Sequence, residues 1–472
     1  MLRAGGELAT GSRFGYVRRV PGRHEPVAGV HSRVIPDLPK ALPRLRDALR
    51  ASPPLLWSAA YFFFLLTGYY VLRPVRDAMG ATADVGTVFS PATIAWFAAR
   101  RIDIGDFTLQ ALFTGTFVAM LLLQPVYGWL VARFPRRVFL PAVYALFVAC
   151  LLGFYLAFLA ETPGRGAVFF IFTAVFNLFA VSVFWSFMAD IYSDAEARQV
   201  YGYIGAGGTL GGLVGPWLTK VLVVGLGVPN MLLISALFLV LAIVCIVRLG
   251  AWAKLAEGRA DRRREDAIGG RVLEGLRLVG RDPLLRWLAT LMFFGVGVGT
   301  LLYNQQREIA KLVTDDSFRT QFYSNLDLWI NLLTLAIQVF LTRRILTTWG
   351  VAPALMIPAF AILAGYGILA ASPLPVLVGV VQIATRAGEF SLGKPARETI
   401  YTRVDRESRY KAKAAIDTVV YRGSDLAFAW VHKGLLAFGS QVVFLGGVAV
   451  AATMTFAAWR VIRAQAGRQA PD

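Results

Sequence analysis

Long apolar runs recur along this chain with short polar breaks between them. A helix that spans a bilayer needs about 20 mostly apolar residues, and twelve segments of the sequence reach about that length. The predicted spans are 55–78, 107–131, 137–159, 166–189, 203–223, 230–250, 284–303, 322–341, 351–371, 374–395, 412–437 and 440–463. The pattern predicts an all-α polytopic membrane protein, with the fifth, tenth and eleventh spans interrupted by Gly, Pro or charge.

Composition supports the membrane assignment. The chain has 472 residues, 57% of them hydrophobic and 16% charged, whereas soluble domains contain about 25% charged residues. The net charge of +19 fits the excess of Lys and Arg in cytoplasmic loops of membrane proteins. No nucleic-acid-binding motif accompanies it, so we expect a lipid bilayer as partner and no nucleic acid.

A charged stretch divides the spans into two groups of six. We expect a basic, mostly disordered cytoplasmic arm over 1–50, which lacks the apolar core of a signal peptide. An N-terminal lobe over 51–250 and a C-terminal lobe over 284–465 follow, joined by a connector over 251–283 and ending in a tail over 466–472. The connector is predicted to contain an amphipathic helix on the membrane surface.

Basic residues in alternate loops predict the orientation. Arg133, Arg136, Arg137, Arg343 and Arg344 lie in loops on the side of the connector, whereas loops 224–229 and 371–375 contain no Lys or Arg. By the positive-inside rule both termini are cytoplasmic. The segment GWLVARFPRR (128–137) resembles a loop motif of the major facilitator superfamily, with Ala132 and Pro135 replacing its Asp and second Gly. That resemblance implies two six-helix bundles with a substrate path between them.

Ionisable residues inside a membrane span are costly and mark functional candidates. The first span ends in LRPVRD (72–77), where Arg73 and Arg76 share a helix face and Arg73 is spaced to pair with Asp77. The alternative is that these side chains extend to the interface. Two arginines on one face, beside Pro74, favour a substrate-facing anion site.

The seventh span ends in an equivalent polar block, NQQREIAK (304–311). Asn304, Arg307 and Lys311 are predicted to bind substrate, and Glu308 to form gating salt bridges. Solvation at the interface is the alternative. Both lobes would then place basic residues on their first helix.

The cytoplasmic ends of several spans carry further charge. Asp190 follows an aromatic run, and the glycine-rich GAGGTLGG (205–212) lacks the Lys-Ser/Thr of a phosphate loop, so we interpret it as a helix-packing surface. Seven further residues of the second lobe are predicted to join Asp77, Asp190 and Glu308 in gating salt bridges. They are Arg386, Glu389, Lys394, Arg397, Glu398, Asp417 and Arg422.

Residues typical of catalysis or metal binding are sparse. Cys150 and Cys245 both lie in apolar runs, and the chain has three histidines, two of them in the arm. We expect no disulfide, no metal site, no cofactor and no enzymatic activity.

Three segments resemble the ATP/ADP translocase (nucleotide transporter) family of plastids and intracellular bacteria, which is similar in fold to the major facilitators. They are LRPVRD, FWSFMAD (184–190) and GKPARETIYTRVDRESRYKAKAAIDTV (393–419). The last is the most specific. NQQREIAK departs from the family, because Arg307 stands where a Glu is expected.

The resemblance implies an antiporter that exchanges nucleoside di- and triphosphates, with motif charges that bind phosphate and control access. We therefore predict a monomeric, twelve-helix alternating-access transporter in a bacterial inner membrane, whose substrate is an anionic small molecule such as ATP or ADP. A proton-coupled facilitator of another metabolite or drug, in which Asp77, Asp190 or Glu389 titrates, is the alternative. A non-transporting membrane scaffold is a third interpretation.

Overall fold

The computed structural model describes residues 53–133, 136–192, 194–260, 272–401, 403–404 and 406–466. Helices dominate these residues, and they contain no β-strand, as the apolar runs predict. The expected N-terminal arm, residues 261–271 of the connector and residues 467–472 of the tail lie outside the described residues.

The N-terminal half, residues 53–260, contains seven of the described helices. They are α1 (Pro53–Gly80), α2 (Pro91–Ala98), α3 (Thr108–Arg133), α4 (Arg136–Leu159), α5 (Arg165–Ile191), α6 (Asp194–Leu226) and α7 (Val228–Ala260). Two short 3₁₀ turns, Val85–Thr87 and Ile104–Phe107, flank α2.

The C-terminal half, residues 272–466, contains the rest. Its helices are α8 (Val272–Arg281), α9 (Pro283–Ala310), α10 (Asp316–Ile337), α11 (Val351–Ala371), α12 (Pro375–Gly388), α13 (Lys394–Tyr401), α14 (Arg406–Ala415), α15 (Tyr421–Leu436) and α16 (Ser440–Ala466). The helix α9 begins after Asp282, whose carboxylate accepts a hydrogen bond from the Leu284 amide at 2.8 Å, and Pro283 follows at the first helical position.

Ten of the described helices or helical stretches are long and apolar enough to span a membrane. They correspond to the first nine predicted spans and the twelfth. The predicted tenth and eleventh spans are also helical, over 375–401 and 406–436, but π-helical turns and charged residues interrupt them. The chain is an all-α polytopic membrane protein, and the division into domains at the connector stays a prediction.

Four π-helical turns lie in the C-terminal half, at Gln338–Thr342, Ile345–Trp349, Glu389–Gly393 and Ile416–Val420. A π turn breaks the regular hydrogen-bond ladder and leaves carbonyls for other donors. The Thr342 hydroxyl donates to the Ser391 carbonyl at 2.8 Å, which joins two of these turns. The interruptions therefore bring Glu389 and its neighbours against α10.

The glycine-rich segment of α6 packs directly against α1. A Cβ atom at Gly207 would lie 2.5 Å from the Ala59 carbonyl oxygen, and one at Gly211 would lie 2.5 Å from the Phe63 carbonyl oxygen. Only glycine permits this approach, as in small-residue packing motifs of membrane helices. The packing interpretation of GAGGTLGG is therefore confirmed.

The connector contributes α8, which packs on α14. Lys411 on α14 forms an ion pair with Glu274 on α8 at 2.9 Å. A Cβ atom at Gly275 would lie 2.3 Å from the Lys411 carbonyl oxygen. The predicted helix thus exists within the connector, and its position on a membrane surface stays a prediction.

The two halves meet along α10, which packs against α6 and α1, and along α15, which packs against α3. We call the end of the bundle at which α1 ends, at Gly80, the upper end. The lower end is the opposite one, where α8 and α14 lie.

Candidate functional site

The two arginines of α1 face different partners. Arg73 is buried, and its Nη1 lies 3.4 Å from Asp327 Oδ1 on α10 in the other half. Arg76 instead donates from Nε and Nη2 to Asp77 Oδ1 at 2.9 and 2.6 Å. The expectation that Arg73 pairs with Asp77 was wrong, because Asp327 from α10 lies beside Arg73 and the adjacent Arg76 folds onto Asp77.

Asp77 also contacts the second half. The Tyr303 hydroxyl on α9 donates to Asp77 Oδ1 at 3.0 Å. Asp77 is 3% exposed, so a partner on each side offsets the cost of burying its charge. The Arg76 guanidinium lies 5.0 Å from the centre of the Phe170 ring. Asp77 therefore links both halves and restrains Arg76.

Two arginines of the C-terminal half bind the carboxyl end of α1. Arg319 Nε donates to the Ala78 carbonyl at 3.0 Å, and Arg307 Nε donates to the Gly80 carbonyl at 3.2 Å. Carbonyls at the end of a helix lack partners within the helix, and cations are favourable there. We call these contacts, together with Tyr303–Asp77, the upper seam.

Arg307 makes further contacts at this end. Its Nη2 donates to the Gly105 carbonyl at 3.3 Å, and its Nη1 lies 3.0 Å from Glu308 Oε1. Lys311 lies 3.9 Å from Glu308 Oε2. Partial burial and the nearby Arg307 charge lower the pKa of Lys311. The predicted substrate cation Arg307 thus holds the halves together in this arrangement.

A polar cavity of about 40 Å³ lies beside the upper seam. Three of its lining residues, Asn304, Arg307 and Lys311, belong to the predicted substrate set. Lys433 also lines it and forms an ion pair with Asp106 of the other half at 3.2 Å. A cavity of this size holds one or two water molecules, whereas ligand pockets measure about 300–1,000 Å³. The cavity that these residues line is therefore far smaller than a nucleotide site.

Most of the predicted gating residues of the second lobe lie near the lower end. Glu389 forms a salt bridge with Arg397 across one π turn, and Lys413 donates to both carboxylate oxygens of Glu398 at 2.7 and 2.6 Å. Both pairs lie within the C-terminal half. Lys394 is exposed close to them. These residues form a charged cluster on one half, and their gating role stays a prediction.

The remaining predicted residues are spread out. Asp417 and Arg422 line a second cavity of about 40 Å³ together with Phe117 and Met120 of α3. Arg422 also lies 3.2 Å from Asp425. Arg386 is half-buried on α12, and Asp190 is exposed at the lower end of α5. The structure thus brings the α1 and α9 residues together and leaves Asp190 apart from them.

Sequence reasoning missed Asp327 and Arg319. Asp327 lies in SNLDLWINLL, inside the predicted eighth span, so the rule that marked Arg73 would also have marked it. Arg319 lies just before that predicted span and offered no comparable signal. Both are almost fully buried between the halves, at 4% and 1% exposure.

Comparisons with known proteins agree with this architecture. The sequence profile of the Major Facilitator Superfamily matches residues 99–424, well over half of the chain. ADP,ATP carrier protein 1 of Chlamydia trachomatis is 23% identical over 81% of this chain and 83% of its own length. ADP,ATP carrier protein 2 of Chlamydia pneumoniae is 20% identical over 86% of this chain and 87% of its own. These relatives confirm the resemblance to the ATP/ADP translocases.

Solved structures share the fold at low identity. The nucleoside transporter NupG is similar with a TM-score of 0.61 and 13% identity, over 87% of this chain and 99% of its own. The xylose transporter XylE from E. coli, in an inward open conformation, has a TM-score of 0.56 and 15% identity over 84% and 94% of the two chains. The helical bundle, the charged seam between its halves and the profile match lead to one conclusion: the chain belongs to the Major Facilitator Superfamily.

Proposed function

We propose that this transporter exchanges nucleoside di- and triphosphates, or a closely related phosphorylated anion, by alternating access. The observation that carries the proposal is the pair Arg73, which is buried, and Arg76, which is partly buried, one turn apart on α1 where the two halves meet. Guanidinium groups bind phosphate oxygens with two parallel hydrogen bonds, and Arg stays charged when buried. The relatives named ADP,ATP carrier protein support nucleotides as the first choice of substrate.

The membrane orientation follows from the loop charges. The lower end, which carries α8 and α14, would face the cytoplasm of a bacterial inner membrane, and the upper end would face the periplasm. The carrier would act as a monomer. The upper cavity is too small for a nucleotide, so this arrangement would not admit substrate from the upper end.

Access from the upper end would need the seam to separate. Arg307 would then leave the Gly80 and Gly105 carbonyls, and Asn304, Arg307 and Lys311 would become available to the substrate. At the lower end, Glu389–Arg397 and Glu398–Lys413 would change partners as the halves approach each other. Asp190, Arg386, Lys394, Asp417 and Arg422 would take part in that closure.

Binding of the phosphate chain is testable with purified protein. A ligand that binds only the folded state raises the Tm with its concentration. We expect ATP and ADP to raise the Tm and adenosine to have no effect, because the nucleoside lacks the phosphates that the arginines recognise. The Arg73→Gln variant should lose the ATP effect. An equal Tm rise with adenosine, or none with any nucleotide, would contradict the proposal.

Carboxylates that are buried or partly buried favour a second candidate, a proton-coupled transporter. Asp77, Asp327 and Asp425 all lie within the membrane-spanning part of the chain, and Asp425 accepts a hydrogen bond from the Thr300 hydroxyl at 2.9 Å. A proton-coupled carrier would accumulate substrate in vesicles that have an imposed pH gradient and contain no internal substrate. A strict exchanger would not.

A further inference from the structure

The ion pair between Arg73 and Asp327 joins the two halves well inside the bundle, away from the upper ends of α1 and α10. Arg73 lies seven residues before the end of α1, or about 10 Å below it, and Asp327 lies eleven residues into α10, or about 16 Å. Their side chains are 7% and 5% exposed. Arg73, which is proposed to bind the substrate phosphate, therefore already has a carboxylate of the protein, Asp327, as its partner.

The face of α10 around Asp327 carries polar atoms that this arrangement leaves unused. Among the described residues, Asp327 Oδ2, the Tyr323 hydroxyl and the Thr320 hydroxyl are buried without a hydrogen-bond partner. The three residues follow helical spacing, so they share one face of α10. Buried polar atoms without partners are unfavourable and rare. Three such atoms on one face of α10 are expected if this face contacts water or a ligand in another conformation of the protein.

From this geometry we propose that Asp327 is the internal counter-ion of Arg73 in the empty carrier, and that it keeps the upper end closed until an anionic substrate replaces it on Arg73. This inference rests on the proposed anion exchange. It explains why uptake of one substrate molecule would require the export of another. An empty carrier is held closed by the pair across the halves. A bound phosphate neutralises Arg73, frees Asp327 and permits the upper seam to separate.

The direction of the effect is specific. The pair exists when the upper end is closed, so it opposes the return of the empty carrier to the upper-open state. Net uptake from the upper side into a substrate-free interior needs that return, whereas exchange does not. Loss of the pair should therefore release uptake from its dependence on internal substrate.

Uptake of radiolabelled ATP into right-side-out vesicles, washed free of nucleotide, tests this effect. We expect the unaltered protein to need internal ADP, and Asp327→Asn to take up ATP without it at least tenfold faster. Asp327→Glu, which keeps the charge, should behave as the unaltered protein does. Asp315→Asn is the matched control, because Asp315 caps the same helix through the Phe318 amide and Asn caps equally well. If Asp327→Asn needs internal ADP as strictly as Asp315→Asn, the proposal is wrong.

A labelling experiment tests the closure itself and requires no transport. Thr320→Cys is introduced with Cys150→Ala and Cys245→Ala, and a membrane-impermeant maleimide is added from the outer side. Without nucleotide we expect slow labelling of Cys-substituted Thr320. Asp327→Asn should make the labelling at least tenfold faster. Arg73→Gln removes the same ion pair and should have the same effect, so it serves if Asp327→Asn does not fold. Slow labelling in both variants would overturn the proposal. If the unaltered protein does not exchange ATP, the proposed substrate is wrong, and fast labelling of the variants would still support the Arg73–Asp327 closure.

Discussion

At the residue scale, Arg73 and Arg76 of α1 look equivalent in the sequence but have different partners in the structure. Arg73 bridges to the other half through Asp327, whereas Arg76 is restrained by its neighbour Asp77. Arg73 is buried and Arg76 is partly buried, and each lies beside a carboxylate. Under the proposed function, an incoming phosphate would exchange one ion pair for another and would not need to neutralise an unpaired charge.

The guanidinium geometry of Arg73 is open to test. We expect Arg73→Lys to raise the KM for ATP about tenfold, because lysine keeps the charge and loses the two-pronged hydrogen bonding. Arg286→Lys on α9 is the control, since that side chain is exposed. Exchange assays over a range of ATP concentrations give the KM. An unchanged KM in Arg73→Lys would argue that Arg73 does not touch the substrate.

Arg307 holds the end of α1 and should matter for stability. Its replacement in Arg307→Gln leaves the Gly80 and Gly105 carbonyls without their charged donor, and hydrogen bonds to charged groups contribute about 1.5–3 kcal/mol each. We expect a Tm several degrees lower in detergent. Arg277→Gln, an exposed position on α8, should leave the Tm unchanged. Equal Tm values for the two variants would show that the contacts of Arg307 in the upper seam do not stabilise the protein.

The sequence predicted Arg73, Arg76, Asp77 and Arg307 as functional because charge inside an apolar run is visible without a structure. The same rule would have marked Asp327, but its pairing with Arg73, more than two hundred residues away, was not predictable. Arg319 binds backbone carbonyls, which every residue carries and no sequence pattern marks. Which charge pairs with which depends on helix contacts that one sequence does not contain.

At the element scale, α6 approaches α1 closely enough to require glycine. A Cβ at Gly211 would overlap the Phe63 carbonyl, and overpacking of this kind costs about 1–3 kcal/mol. We expect Gly211→Ala to lower the Tm and the yield of folded protein. Gly225→Ala on the same helix meets no atom within 4 Å and should be neutral. A stable Gly211→Ala variant would show that the two helices can separate at little cost.

One side-chain hydrogen bond joins two of the π turns of the C-terminal half. Thr342→Val removes the donor to the Ser391 carbonyl, and such bonds between membrane helices contribute about 1 kcal/mol. We expect a small decrease in Tm. Thr453→Val on α16 is the matched control, because its hydroxyl donates within a regular α-helix to the Ala449 carbonyl at 2.9 Å. A larger loss in the control than in Thr342→Val would contradict this account of the turns.

Helix number was predictable and helix continuity was not. Ten of the twelve predicted apolar runs correspond to candidate spans of the described residues, since length and hydropathy determine a membrane helix. The runs around 374–395 and 412–437 contain Glu389 and Asp417 at π turns. Where a helix changes its hydrogen-bond pattern depends on neighbours such as Thr342, and composition does not show that.

At the scale of the whole molecule, contacts from the C-terminal half hold the upper end of α1. Arg307, Arg319 and Tyr303 reach from the C-terminal half to the end of α1, and Asp327 reaches Arg73 below them. An exchanger needs such contacts to depend on the substrate, because the empty carrier must not cycle freely. The charges at the seam meet that requirement if the substrate is an anion.

Counterflow in proteoliposomes tests the central claim most directly. Vesicles loaded with unlabelled ADP are diluted into a trace of labelled ATP, and internal label is followed over time. We predict a transient accumulation of label that requires internal ADP, is suppressed by external phosphorylated nucleotides and is absent in Arg73→Gln. If labelled ATP neither enters ADP-loaded vesicles nor competes with a substrate that does, the chain is not a nucleotide exchanger.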